Sequence, residues 1–187
     1  MNAKREQIVN TALELFYAQG FHATGVDKII QTAGVSKKTL YHHFRSKDEL
    51  VLAALRRRDE LFRNWLVRAV QARSKDPRAQ LDALFDALGE WFRSKGFSGC
   101  MFINASAEFP SHDDPCHIAC REHKRMIVDY VRSIAEAAGA KQPERLAEQL
   151  NLLMEGAIVE AHVCGQSDAY KKAAEMAQPF IAQAFAD

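Results

Sequence analysis

Apolar side chains recur three or four positions apart along almost the whole chain. The first periodic segment runs through Ile8, Ala12, Leu15, Phe16 and Ala18 and stops at Gly20. Glycine and proline residues separate the later periodic segments, and no segment alternates apolar and polar residues as a half-buried strand would. The pattern therefore predicts an all-α protein of about nine helices without an internal repeat.

Two short helices are predicted after the first segment. Thr24 precedes an apolar-periodic stretch and is interpreted as the N-cap of the second helix. Ser36 is a typical N-cap for a third helix over residues 37–43, with Leu40 and Phe44 as its apolar anchors.

Longer helices follow with recognisable start signatures. Ser46 with Glu49 forms a capping-box pattern before a long fourth helix, and Asp76-Pro77 opens a fifth that continues toward Gly96 and Gly99. Further helices are predicted over 101–109, over 115–139, over 143–165 and after Ser167, which is interpreted as the last N-cap.

The junction of the second and third helices has the features of a helix-turn-helix. Ala33, Gly34 and Val35 supply the small residues and the buried aliphatic that two closely meeting helices require. The side chains left on the outer face of the third helix are polar or basic, namely Lys37, Lys38, Thr39, Tyr41 and His42. Such a face suits entry into a DNA groove.

Charge is distributed unevenly along the 187 residues. Residues 1–75 hold 14 Lys and Arg against 7 Asp and Glu, whereas the remainder holds 11 against 17. The basic excess at one end is typical of a segment that meets a polyanion, although a solvated helix face would look similar.

The run from Gly34 to Leu50 resembles the signature of the TetR (tetracycline repressor) family of bacterial transcriptional regulators. The stretch from Ala12 to Phe16 also matches, as do Gly20, Phe21 and Thr24, so that the resemblance covers roughly residues 4–60. It implies a DNA-binding domain over 1–48 and a helical ligand-binding and dimerisation domain over 49–187, with helix four linking the two.

The resemblance also implies which side chains contact DNA. Thr24, Tyr41, His42 and Lys47 match positions that contact operator phosphates, and Lys37, Lys38 and Thr39 match positions that reach base edges. Lys38 departs from the family pattern, in which a small residue is commoner, so the base preference is not carried over. Thr24 could alternatively be a cap alone, and Tyr41 partly a packing residue.

Dimerisation would bring two third helices to one palindromic operator. Candidate interface residues form stripes on the last two helices: Leu146, Leu150, Leu153, Ala157, Ala161, Ala177, Phe180 and Ala184. The alternative for these stripes is an intrachain core. Candidate residues for an inducer pocket are Phe85, Leu88, Trp91, Phe92, Phe102, Asn104, Glu108, Met126, Tyr130 and Met154. For Asn104 and Glu108, which share one face, a structural hydrogen bond is the favoured interpretation.

The four cysteines are too few and too irregularly spaced for a disulfide framework. Cys100 and Cys116 are candidates for thiol or electrophile sensing. Cys116, Cys120 and His123 share one helical face, but all three cannot bind one ion, because three successive turns span about 10 Å. A metal site there is a minor alternative.

The sequence thus predicts a ligand-released repressor that acts in the cytoplasm without a cofactor. Its expected partners are double-stranded operator DNA, a small-molecule inducer and a second copy of the chain, but no membrane. A thiol- or metal-responsive family member is the alternative. An enzyme is unsupported because phosphate-loop, nucleophile-elbow and zinc-protease motifs are missing, and a pure interaction module is disfavoured by the basic first quarter.

Overall fold

A computed structural model describes residues 3–186, and within that range the chain forms nine α-helices and no strand. The helices are α1 (Ala3–Gln19), α2 (Val26–Ala33), α3 (Lys37–His43), α4 (Lys47–Arg73), α5 (Pro77–Phe92), α6 (Met101–Glu108), α7 (Pro115–Ala137), α8 (Pro143–Val163) and α9 (Ala169–Phe185). The predicted all-α class and the predicted number of helices are confirmed.

Several helix ends form as their residue types dictate. Ser36 Oγ accepts the N–H of Thr39 at 3.1 Å, and Asp76 Oδ2 accepts the N–H of Ala79 at 3.1 Å. Ser46 Oγ accepts the N–H of Glu49 at 3.1 Å. The Glu49 carboxylate returns to the backbone N–H of Arg45, at 2.7 Å, so the predicted capping box closes one residue earlier than in the usual pattern.

Two predicted caps are wrong. Gly25, not Thr24, is the N-cap of α2, because the Thr24 side chain points into the protein and its hydroxyl donates to Gly20 O at 2.7 Å. Asp168, not Ser167, precedes α9, and its side chain makes no capping hydrogen bond. In both cases the N-cap lies one residue later than predicted.

The chain forms two compact units that are discontinuous in sequence. Unit 1 contains residues 3–62 and 101–123, and unit 2 contains residues 63–100 and 124–186. Helices α4 and α7 contribute residues to both. This division differs from the predicted one at residue 48, because α6 and the start of α7 pack with the N-terminal helices.

Unit 1 has an aromatic core. Phe16 stacks on Phe21 with ring centroids 5.3 Å apart, and Phe21 meets the edge of Phe109 at 5.9 Å. Phe109 follows α6 and Phe21 follows α1, so this contact packs the end of α6 against the end of α1. Other fully buried large side chains of the unit include Ile8, Ile29, Leu40, Phe44, Leu50, Leu55 and Met101.

Unit 2 is built on α5, α8 and α9. Gly89 of α5 permits the close approach of Tyr170 of α9, since a Cβ at Gly89 would lie 2.6 Å from the tyrosine ring. Alanines at positions 157, 161, 169, 173 and 177 are buried between these helices. Small residues thus set the helix separation in this unit.

No helix within residues 3–186 combines the length and apolarity needed to cross a bilayer.

Candidate functional site

Helix α3 is held by two apolar side chains and by its cap. Leu40 and Phe44 are buried, and the guanidinium of Arg5 lies over the Phe44 ring, 5.0 Å from its centroid. A helix of seven residues has little stability of its own, so these contacts determine both its presence and its rotation. The opposite face is left in solvent.

The turn before α3 depends on Gly34. Its φ of 61° and ψ of 37° are left-handed, and its N–H bonds to Gln31 O while the N–H of Val35 bonds to Ile30 O. A side chain in this conformation costs roughly 1–2 kcal/mol. The amide of Gln7 on α1 also donates to Ala33 O at 2.8 Å, which anchors the end of α2.

Most of the predicted DNA-contacting side chains lie on α3. Lys37, Lys38, Tyr41 and His42 are exposed on α3, whereas Thr39 and Lys47 are half-buried. Lys37 Nζ lies 3.7 Å from an Asp27 carboxylate oxygen, an exposed pair that contributes little and can be exchanged for a phosphate. Lys47 Nζ donates to His22 O at 3.2 Å, which places its ammonium beside the loop before α2.

The structure removes Thr24 from the predicted set of DNA-contacting residues. Its side chain is buried, and its hydroxyl is already bonded to Gly20 O, so that hydroxyl is not available to a phosphate. The residue instead stabilises the loop between α1 and α2. The structure adds Lys28 on α2 and Arg45 after α3 as exposed basic residues of the same unit. Sequence reasoning missed them, although each lies on the polar side of its segment.

Glu108, at the end of α6, binds the loop that leads into the helix-turn-helix. Its carboxylate accepts the backbone N–H groups of Phe21 at 2.8 Å and His22 at 2.6 Å, and it lies 2.8 Å from His22 Nδ1. The favoured interpretation of Glu108 as a structural hydrogen-bonding residue is confirmed. It is therefore not a pocket residue, because both carboxylate oxygens are engaged by this loop.

Burial and hydrogen bonding have opposite effects on the ionisation of Glu108. Partial burial raises its pKa, but the backbone N–H groups of His22 and Phe21 and the His22 imidazole lower the pKa further, so the net shift is downward from 4.5. The carboxylate is the form that the loop binds. Gly20 leaves room for this contact, since a Cβ there would lie 3.2 Å from Glu108 Oε1.

A second buried contact in unit 1 joins α4, α6 and α7. The His123 imidazole stacks on Phe102 with centroids 3.6 Å apart and planes 10° apart, and its Nδ1 lies 2.7 Å from Asp59 Oδ1. Phe102 was predicted in the pocket and His123 as a minor metal ligand. Both side chains instead pack against each other inside unit 1.

Cys116 and Cys120 are buried in the same unit. Burial, helped by the nearby carboxylates of Asp114 and Asp48, raises the pKa of the Cys116 thiol to about 12. A thiol that stays protonated at neutral pH is a poor nucleophile, so Cys116 is a poor candidate for sensing. Within residues 3–186 no group of three His, Cys, Asp or Glu side chains is arranged to hold a metal ion.

Seven of the predicted pocket residues belong to unit 2: Phe85, Leu88, Trp91, Phe92, Met126, Tyr130 and Met154. Asn104, Phe102 and Glu108 belong to unit 1. Two buried polar atoms of unit 2 have no hydrogen-bond partner, the hydroxyl of Tyr130 and Oδ1 of Asn151. Burial raises the pKa of Tyr130, so its hydroxyl remains a donor. A buried polar atom of this kind is usually satisfied by a water molecule, an ion or a polar ligand.

The predicted dimer stripes are largely buried within the single chain. Leu146, Leu150, Ala157, Ala161 and Ala177 are buried, and Leu153, Phe180 and Ala184 are half-buried. The first five are therefore corrected to intrachain core residues, the alternative given above. The exposed apolar residues of α8 and α9 are different ones: Leu152, Val159, Val163 and Met176.

The fold and the exposed third helix define a helix-turn-helix DNA-binding protein. The family model described as "Bacterial regulatory proteins, tetR family" matches residues 8–54, and the model "Tetracyclin repressor-like, C-terminal domain" matches residues 77–177. The chain belongs to the TetR family, and it is a DNA-binding transcriptional regulator.

Individual proteins agree with this assignment. The crystal structure of SCO4454, a TetR-family regulator from Streptomyces coelicolor, superposes with a TM-score of 0.88 at 29% identity and covers 97% of this chain and 95% of its own. The regulator YjdC of Escherichia coli K12 is 23% identical over 155 residues, 83% of this chain and 81% of YjdC. LmrA of Bacillus subtilis 168 is 27% identical over 159 residues, 83% and 84% of the two chains.

We predict that Tyr41→Ala weakens binding to cognate duplex DNA by about tenfold, the loss expected when one hydrogen bond to a charged phosphate disappears. The tyrosine is 45% exposed, so its removal leaves the core intact. Leu61→Ala is the matched control, because Leu61 is an apolar residue of unit 1 with 42% exposure on α4. Fluorescence anisotropy titration measures both; equal affinities would contradict the role given to Tyr41.

We predict that Glu108→Gln lowers the free energy of unfolding at pH 7 by about 1–2 kcal/mol, because neutral amide oxygen is a weaker acceptor for two backbone N–H groups. The lowered pKa of Glu108 means that its contribution is complete at neutral pH and disappears as the pH falls through the folded-state pKa. The variant should therefore differ most from wild type at neutral pH and converge with it in acid.

Urea unfolding at a series of pH values measures this difference. Glu60→Gln is the control, since Glu60 makes an exposed pair with Arg57 in the same unit. A difference between wild type and Glu108→Gln that stayed constant from neutral pH to acid would count against the charged contact.

Proposed function

We propose that this protein is a homodimeric repressor that binds a palindromic operator and is released when a small molecule binds in unit 2. The observation that carries the proposal is the outer face of α3, which is basic and exposed while Leu40 and Phe44 anchor the inner face. The activity is binding and release of DNA, without catalysis.

In this proposal α3 enters the major groove. Lys37 and Lys38 donate to guanine O6 and N7, and Thr39 lies near the same base edges. Tyr41, His42 and Lys47 contact phosphates that position the helix, as do Lys28 and Arg45. The loop held by Glu108 supports this placement because Lys47 bonds to the carbonyl of His22, whose N–H binds Glu108.

The dimer is proposed to form through the exposed face of α8 and α9. Leu152 and Val163 are each 72% exposed, and with Gly156 and Val159 they follow a helical repeat on one side of α8. No atom lies within 4 Å of a Cβ built at Gly156, so a partner helix could approach closely there. On α9, Met176 is 60% exposed.

The inducer is proposed to bind among the pocket residues of unit 2 already named. The unpaired Tyr130 hydroxyl would donate to it and the unpaired Asn151 Oδ1 would accept from it. Its binding would shift α4, which contributes residues to both units, and so change the separation of the two α3 helices in the dimer.

The proposal is tested by selecting duplexes from a random library with the full-length protein. We expect a palindrome whose half-sites lie about one helical turn, ~10 bp, apart. Affinity for the selected duplex should fall steeply with salt, and Lys47→Ala should reduce the slope of log K against log salt by about one per subunit. Selection of no sequence, or binding that is indifferent to salt, would refute it.

We expect Leu152→Glu to convert the dimer to a monomer, because a carboxylate in an apolar interface is desolvated without a partner. Sedimentation velocity distinguishes the 21.0 kDa chain from a particle of twice that mass. Leu61→Glu makes the same change at an exposed leucine of unit 1 and should leave the dimer intact. A dimeric Leu152→Glu protein would rule out this face.

A further inference from the structure

The first part of α4 has one side that unit 1 does not cover. Leu50, Val51, Ala54 and Leu55 are fully buried, so their side of the helix packs in the core. The residues between them form a stripe on the opposite side, and all of its members are exposed or half-buried. We call it the α4 stripe: Glu49, Leu52, Ala53, Arg56 and Glu60.

Helix α1 lies beside the α4 stripe. The Arg5 guanidinium, near the start of α1, lies 5.0 Å from the centroid of the Phe44 ring, just before α4. The Arg58 guanidinium on α4 lies 4.6 Å from the centroid of the Tyr17 ring, near the end of α1. The two helices therefore run side by side in the same direction. A groove between them is lined by residues 5, 6, 9 and 10 of α1 and by the stripe, and the side chains of a partner helix can enter such a groove.

Charge alternates along the stripe in a self-complementary order. Starting at Arg45, just before α4, the order is a cation, an anion, an apolar pair, a cation and an anion. A two-fold axis between Leu52 and Ala53 would set residue 49 opposite residue 56 of an antiparallel second copy, and residue 45 opposite residue 60. Both contacts join unlike charges, and each occurs twice. Moving the axis two residues along α4 would instead set Glu49 opposite Glu60, so the charges select one register.

The two central charges of the stripe do not neutralise each other within one chain. Glu49 and Arg56 are seven residues apart, about 10 Å along the helix axis. Among the described residues, no carboxylate lies within ion-pair distance of the Arg56 guanidinium. One carboxylate oxygen of Glu49 accepts the N–H of Arg45, at 2.7 Å, and the other is left to solvent or to a partner.

We propose that the α4 stripe binds the α4 stripe of a second copy, and that the two copies belong to dimers bound at neighbouring operators. Exposed ion pairs contribute little individually, so the contact is weak between dimers that are free in solution. On one duplex the second dimer is held at high effective concentration, and a weak contact then gives cooperative binding. The inference rests on the proposed function, because DNA must hold the dimers side by side.

The test uses full-length protein and duplexes that carry two copies of the selected operator. The distance between the operators is varied in single base pairs over two helical turns, and a single-operator duplex gives the affinity of one dimer. At the best spacings we expect the second dimer to bind about tenfold more tightly than the first. These spacings should recur every ~10 bp, because the two dimers must meet on one side of the duplex. Equal affinities at every spacing would overturn the proposal.

Arg56→Glu should abolish the tenfold cooperativity, because carboxylates would then face each other twice across the axis. Arg121→Glu is the matched control, since Arg121 is an exposed arginine of α7 in the same unit. Both variants change the net charge equally, so their general effect on DNA attraction cancels when two-operator and single-operator affinities are divided. Cooperativity that survived in Arg56→Glu would point to coupling through the DNA and contradict the α4 contact.

Glu49→Lys combined with Arg56→Glu restores unlike charges across the two copies and should recover the tenfold cooperativity. Because Glu49 also caps α4, urea unfolding and circular dichroism check the fold of the double variant. A folded double variant that stayed non-cooperative would count against this register of the stripe.

Crosslinking identifies the two copies that meet. Ala53→Cys places a thiol next to the proposed axis, in a background where the exposed Cys164 is serine. A short bismaleimide should join two chains on the two-operator duplex and not on the single-operator duplex. Crosslinking on a single operator would place the contact within one dimer and refute contact between neighbours. Failure to select any duplex would refute the proposed function, whereas single operators bound without cooperativity would refute only this inference.

Discussion

The burial of Leu40 and Phe44 is the constraint on which the DNA-binding surface depends. A helix as short as α3 cannot persist by its own hydrogen bonds, so it exists only because its inner face is packed in unit 1. The same packing fixes its rotation and leaves its lysines, tyrosine and first histidine outward. Gly34 and the Ser36 cap serve this arrangement, since they set the direction in which the chain enters α3.

Glu108 extends that constraint to a distant part of the chain. Its carboxylate accepts the backbone N–H groups of Phe21 and His22, which follow α1. Phe109 packs on Phe21 beside this contact. Unit 1 is therefore more than an N-terminal domain, because α6 is one of its structural elements. Glu108 thus links the position of α6 to the loop before α2.

Unit 2 combines a tightly packed helix group with polar atoms that packing leaves unsatisfied. Alanine and glycine bring α5, α8 and α9 together, while Tyr130 and Asn151 retain unpaired buried atoms. Lys124 Nζ donates to Cys100 Sγ at 3.3 Å and to Glu155 Oε2 at 2.6 Å, so groups from different segments meet there. The unpaired atoms of Tyr130 and Asn151 are costly in a purely structural core, and they are the observation that supports the proposed inducer site.

The sequence by itself determined the helices, the helix-turn-helix and the family. Local patterns sufficed for these because caps, glycines and a 3.6-residue period act within a few positions along the chain. Only the tertiary structure decided that Thr24 is buried and that Leu146 and Leu150 pack inside the chain. It also decided that Glu108 binds the backbone of Phe21 and His22 and that Lys124 binds Glu155. Those outcomes depend on which helix face meets which neighbour, and an amphipathic stripe looks the same whether it packs within its own chain or against a second one.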